Sequence, residues 1–562
     1  ALDWLVIGVF FLALIGIIVW VVRQKQNDSA DYFLGGRDAT WLAIGASIFA
    51  SNIGSEHLIG LAGAGASSGM AMAHWEIQGW MILILGWVFV PFYTRSMVYT
   101  MPEFLERRYN PQSRTILSVI SLVSYVLTKV AVTVYAGGLV FQQVFGIKEL
   151  WGIDFFWIAA IGLVVLTALY TIFGGMKSVL YTSVLQTPIL LLGSLIILVL
   201  GFKELGGWDE MMRVCGAVTV NDYGDTMTNL IRSNDDANFP WLGALIGSAI
   251  IGFWYWCTDQ FIVQRVLSGK NEMEARRGTI FGAYLKLLPV FLFLIPGMIA
   301  FALHQKYIGA GGEGFLPMLA NGTANADAAF PTLVAKLLPA GVKGLVVCGI
   351  LAALMSSLAS LFNSSAMLFT IDFYKRFKPE TPEKKLVGIG QIATIVIVVL
   401  GILWIPIMRS VGDVLYTYLQ DVQSVLAPGI AAAFLLGICW KRTSAQGGMW
   451  GLISGMVIGL TRLGAKVYYS NAGEVADSTF KYLFYDMNWL FFCGWMFLFC
   501  IIVVIVVSLA TEAPTAEKIQ GLVFGTATKK QKAATRASWN HWDIIHTVII
   551  LAITAAFYWY FW

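Results

Sequence analysis

Ala50-Ser51-Asn52-Ile53-Gly54-Ser55-Glu56-His57 interrupts an otherwise apolar run at 41–70. Glycine, two serines, an amide, a carboxylate and an imidazole near the middle of a membrane crossing make a poor continuous apolar helix. The physical reading is a broken helix whose freed carbonyls and side chains line a cavity. The plainer alternative is a polar helix face packed against its neighbours. That the run crosses a membrane follows from its surroundings. Of 562 residues, 58% are apolar and only 12% charged, where a soluble chain would be about a quarter charged. Mean hydropathy is +0.73. Apolar runs recur at 3–23, 41–70, 72–98, 114–145, 153–174, 178–201, 240–265, 274–304, 331–373, 384–408, 411–440, 446–466, 485–510 and 541–561. Many reach the length of about 20 that spans a bilayer. Dyad strand patterning is missing, so helices rather than a barrel satisfy the backbone. The expected fold class is an all-α membrane protein with about 14 transmembrane helices. A soluble enzyme, a nucleic-acid-binding module, a disordered chain and a single-anchor receptor are excluded.

Basic residues set the expected orientation. With the N-terminus outside, 24 Lys and Arg fall on inside loops and 11 on outside ones, the bias that cytoplasmic loops carry. An even number of spans puts the C-terminus outside too. The long outside loops are 202–239 and 305–330, and the basic linker 511–540 lies inside against anionic lipid. Of six cysteines, Cys257, Cys348, Cys439, Cys493 and Cys500 lie in apolar runs and Cys215 in a polar loop. That is neither a disulfide framework nor a metal signature. The first run has no basic flank or cleavage site, so it reads as a span rather than a signal peptide.

Four further runs carry residues that lipid disfavours. The third holds His74-Trp75-Glu76-Ile77-Gln78, the seventh Trp254-Tyr255-Trp256-Cys257-Thr258-Asp259-Gln260, the eighth Lys286, and the eleventh Tyr416-Thr417-Tyr418-Leu419-Gln420. Each alone fits a packing role as well as a functional one, and Glu76 could simply cap a helix start. Together with the 50–57 block they offer a carboxylate, an ammonium, amides, an imidazole and aromatic faces. That set suits a neutral polyhydroxyl ligand, whose hydroxyls donate to acid or amide oxygens and accept from Lys or amide N–H. HExxH, GxSxG and P-loop sequences are missing, so the reading is not an enzyme. In the ninth run, Ser356 and Ser357 place two hydroxyls on nearly one face. Neutral oxygens in small number suit a singly charged hard cation. Alone, the pair is more simply a device for close helix packing.

These blocks in this order resemble the sodium/solute symporter family, sodium–glucose cotransporter branch. The likeness rests on Asp31-Tyr32-Phe33-Leu34-Gly35-Gly36-Arg37, Ala50–Ser55, Thr100-Met101-Pro102-Glu103-Phe104, Trp254–Gln260, Phe362-Asn363-Ser364 and Phe434-Leu435-Leu436-Gly437-Ile438-Cys439-Trp440-Lys441-Arg442. The resemblance implies a LeuT-type core of two inverted five-helix repeats at 41–201 and 240–440. An extra helix would lie in 1–40 and three more in 441–562. It implies a substrate site of Asn52, His57, Glu76, Tyr255, Trp256, Lys286 and Gln420. Leu61 and Tyr416 would gate the outer side and Tyr255 the inner. It implies a sodium site of the Ala50, Ile53 and Ala353 carbonyls with the Ser356 and Ser357 hydroxyls. Some relatives bind a second sodium through an aspartate and a hydroxyl; here those positions read Ser183 and Ala359.

The expected function is sodium-coupled uptake of glucose or galactose by alternating access, one sodium per sugar. Sodium is the co-transported ion, and the partners are a small sugar and the bilayer, with no nucleic acid. The alternative keeps the symporter and changes its substrate to myo-inositol or an organic anion such as sialic acid. A third reading, of another class, is a membrane sensor or sodium channel on the same scaffold. The paired loop cysteines expected of animal relatives are missing, which points to a bacterial inner membrane.

Overall fold

The structure is a computed structural model describing residues 2–54, 56–319, 321–411, 415–471 and 476–562. The side chains at 127, 128, 139, 143, 405, 407–411, 415–421, 467, 470 and 471 also fall outside the described set. The chain is predominantly helical, and its one sheet among the described residues is a hairpin pairing Glu149–Leu150 with Ile153–Asp154. Ten helices among the described residues are long and apolar enough to cross a membrane, against the fourteen expected. The difference is partly one of joints. Phe155–Leu205 contains two expected spans that meet at the non-helical Gly175, and Glu56–Ser96 runs from the second expected span through the third. The run expected as one span at 331–373 is instead two helices, Ala329–Leu337 and Val342–Met367. Gly341, at φ 88°, lies at the joint.

Burial orders the helices from centre to rim. The span Val342–Phe377 is 89% buried over its apolar window, whereas Leu2–Val22 and His541–Tyr560 are each 22% buried. The serine pair therefore lies on the central helix, and the first and last helices expose apolar faces where lipid would lie.

The second span breaks as expected, and the seventh breaks as well. Trp41–Asn52 ends at Ile53, which takes extended backbone (φ −78°, ψ 112°), and a π-helical turn begins at Glu56. The seventh span runs as Trp241–Gly252 into the π-helical Phe253–Thr258 and stops at Asp259, also extended (φ −77°, ψ 128°). Asp259 then caps Gln260–Leu267 by accepting from the Phe261 N–H. Wide turns of this kind are frequent at functional sites. Small residues seat the second half of the broken second span. A Cβ on Gly297 would lie 1.9 Å from the Ala62 carbonyl oxygen, and one on Gly65 would lie 2.2 Å from that of Leu294. The 62–68 segment therefore lies backbone to backbone on Ile295–Gly309, as small residues allow in membrane packing.

The loop 202–239 is more ordered than its composition suggests. It contains the helix Trp208–Gly216. Cys215, read as a polar-loop residue, is fully buried with its thiol toward the Met298 carbonyl. Burial pushes that thiol's pKa up to about 12.

Candidate functional site

The two breaks face each other across one cavity of about 570 Å³ of empty space, its mouth included. Asn52 is the last residue before the first break and His57 lies on the π-turn after it. Tyr255 and Trp256 come from the π-turn of the seventh span, and Lys286 ends the helix Glu272–Lys286. Glu76 closes the short helix Ala73–Glu76. All six line the cavity together with Leu61 and Trp75.

Five of them form one continuous hydrogen-bonded chain. Tyr255 Oη accepts from Asn52 Nδ2 at 3.1 Å. Asn52 Oδ1 accepts from Lys286 Nζ at 3.1 Å, and the same ammonium donates to Glu76 Oε2 at 2.6 Å. His57 Nε2 lies 3.1 Å from that oxygen, so in the neutral ring Nε2 carries the proton and Nδ1 is the acceptor. Nδ1 is buried and has no hydrogen-bond partner. Lys286 also lies 5.3 Å from the centre of the Trp256 ring. Lys286, His57 and Glu76 are 3%, 4% and 8% exposed, so their charges are settled on one another rather than on water.

Residues the sequence reading did not assign also line the cavity: Glu56, Met72, Gln78, Ile251, Gly252 and Gln423. Glu56 and Gln78 stood in the quoted polar blocks and could have been taken from them. Gln423 is an amide three residues after Gln420 in Leu415–Cys439, so its helical spacing was the available signal. Glu56 makes no hydrogen bond or ion pair among the described residues, so the cavity holds one carboxylate beyond the Glu76–Lys286 pair. The side chains of Gln420 and Tyr416 lie outside the described residues. At the rim, the Trp75 ring stacks on Trp489 (5.5 Å, 20°) and meets Phe239 edge-on.

Of the expected sodium residues, Ser357 lies against the first break. Ser357 borders a small void with Ser51, Gly54 and Glu56, and its Oγ lies 3.2 Å from where a Cβ on Gly54 would be. A side chain at Gly54 would press on that hydroxyl, so glycine suits the close approach of the broken helix there. Ser356 Oγ is buried without a partner. Ser360 Oγ donates to the Ser356 carbonyl at 2.8 Å, so Ser51 is the donor in its 2.6 Å contact with Ser360. That bond pins the end of Trp41–Asn52 to the central helix. Ala50, Ile53 and Ala353 are all buried. Ser183, by contrast, is committed, donating to the Val179 carbonyl at 2.6 Å, and Ala359 is fully buried without a hydroxyl.

Comparison with known proteins follows the same line. A family model described as the sodium:solute symporter family matches residues 32–455. The chain is 36% identical over 538 residues to sodium/myo-inositol cotransporter 2 of Homo sapiens, covering 93% of this chain and 79% of that protein. It is 37% identical over 547 residues to the sodium/myo-inositol cotransporter of Canis lupus familiaris, covering 93% and 75%. Among solved structures, the substrate-bound outward-open state of a Na+-coupled sialic acid symporter matches with a TM-score of 0.73 at 22% identity, covering 92% of this chain and 99% of that one. At that identity the likeness is one of fold.

Proposed function

The chain belongs to the sodium:solute symporter family, and on that premise we propose that this sodium-coupled symporter takes up a cyclic polyol of the myo-inositol class by alternating access. It is a transporter and not an enzyme, and sodium is its co-transported ion. The move from hexose to inositol is supported by relatives that are 36–37% identical over nearly the whole chain and carry myo-inositol in their names. The site is compatible with that choice. Its donors and acceptors alternate along the Tyr255–Asn52–Lys286–Glu76–His57 chain, as a ring of hydroxyls requires.

One observation argues against an anionic substrate. Lys286, the one ammonium among the described lining residues, is already paired with Glu76, and Glu56 adds a second carboxylate to the lining. An incoming sialic or organic acid would meet a surplus of negative charge.

Sodium, in this reading, is held by Ser356, Ser357 and the carbonyls of Ala50, Ile53 and Ala353. It fixes the broken segment that carries Asn52 and His57. Ordering is then met before substrate arrives, so the two affinities are linked and the linkage is reciprocal. Substrate would leave past Tyr255 after Leu61 and Tyr416 close. The test is uptake of radiolabelled myo-inositol, glucose and galactose into proteoliposomes, with and without sodium. Sodium-dependent myo-inositol uptake that the hexoses compete for weakly is the expected result. Preferential accumulation of glucose or galactose would restore the hexose reading, and equal accumulation without sodium would overturn coupling.

A further inference from the structure

Below Tyr255 the chain buries an ion pair that neither the substrate site nor the sodium site uses. Lys129, on the π-turn Tyr125–Val130, donates to Asp259 Oδ2 at 2.7 Å, with side chains 7% and 3% exposed. The Tyr125 hydroxyl donates to the other carboxylate oxygen. Four rings surround the ammonium, those of Tyr125, Trp254, Tyr255 and Phe261, with centres 4.9 to 5.2 Å away. Desolvating two charges this completely is costly, and well-packed apolar residues often serve stability as well. The placement of the pair indicates another use. Asp259 is the extended residue at the break of the seventh span, so the bond ties that joint to a helix of the other repeat. One wall of the cage is the ring of Tyr255, whose hydroxyl closes on Asn52. Lys129 also borders the void that Ser357 and Gly54 line.

We propose that Lys129 and Asp259 are positioning residues for transport: the caged pair holds Tyr255 across the inner end of the substrate cavity and separates when substrate leaves on that side. A charge pair inside a ring of aromatics has two discrete arrangements, made and broken, which is what a gate requires. The inference rests on the alternating-access reading above. Its test reads the gate and not the substrate, so a wrong substrate assignment leaves the outcome unchanged.

The reporter is Thr133→Cys, a buried residue on the wall of the same void, probed in membrane vesicles with a charged methanethiosulfonate reagent in saturating sodium. The full chain without the reporter is the blank for Cys257, which is fully buried. With the pair intact, labelling is slow. Lys129→Met/Asp259→Asn removes both charges of the pair together. It is expected to raise the labelling rate roughly tenfold or more, within the range of typical coupling between sites. Lys129→Arg, which keeps a cation in the cage, is expected to label at the parent rate. If the double variant does not reach the membrane, Lys129→Gln carries the same test, since it drops the charge and keeps a donor to Asp259. Labelling at the parent rate in the charge-free variant would overturn the proposal and leave the pair a packing element.

Discussion

Lys286 serves two partners at once, Glu76 at 2.6 Å and Asn52 at 3.1 Å. Lys286→Ala therefore does more than remove a donor to substrate, because it strands a buried carboxylate. Lost substrate hydrogen bonds should cost on the order of 1–3 kcal/mol in affinity, and breaking the buried pair about 3–5 kcal/mol. Gln420→Ala, judged by its expected role alone, should show the smaller figure. Sodium binding should survive in both. Titration of purified protein with myo-inositol, and separately with sodium, checks this, and parental substrate affinity in both variants would refute the assignment. At the ion site, Ser357→Ala should abolish the sodium dependence of substrate binding and leave weak residual affinity. Ser365 is a fair control, since its buried hydroxyl has no partner and its loss should be neutral. Equal behaviour of the two alanine variants would reduce the 356–357 pair to packing.

Among the elements, the second half of the broken second span depends on one close contact. With a Cβ on Gly297 only 1.9 Å from the Ala62 carbonyl oxygen, Gly297→Ala must push 62–68 away from Ile295–Gly309. Overpacking of this kind costs about 1–3 kcal/mol. Because the π-turn carrying His57 and Leu61 runs straight into Ala62, substrate affinity should fall along with thermal stability in detergent. A control at Gly309, where a Cβ meets nothing within 4 Å, should change neither. Unchanged melting and affinity in Gly297→Ala would show that the helices separate freely at this point.

For the whole molecule the measurable quantity is stoichiometry. Ser183 offers no charge and its hydroxyl is spent within its own helix, while Ala359 offers no ligand at all. A second dehydrated cation would have nothing to offset its cost at that place. One sodium per substrate is therefore expected. At 100 mV and a tenfold sodium gradient the driving force is about 3.7 kcal/mol, enough for near 500-fold accumulation. Reversal potentials in proteoliposomes distinguish one coupled charge from two, and a shift corresponding to two would place a second sodium site elsewhere.

The sequence by itself determined that this chain crosses a membrane many times in helices, that the second of them reads as broken, and which residue types gather in the membrane. Hydropathy and intramembrane polarity are local properties, and lipid leaves the backbone few alternatives. The family likeness then named Asn52, His57, Glu76, Tyr255, Trp256 and Lys286, and the fold brings all six to one cavity. Only the tertiary structure decided who bonds whom. Glu76 and Lys286 are 210 residues apart, and Lys129 and Asp259 are 130; no periodicity links such pairs. The bounds of the span expected at 331–373 were missed for a similar reason, since the helix long enough to cross there begins at Val342. The turn at Gly341 interrupts an apolar run without changing its composition, so hydropathy passes over it. Gln423 entered the cavity lining because a helix presents positions three apart on one face, a geometry that acquires meaning only once the facing helices are in place.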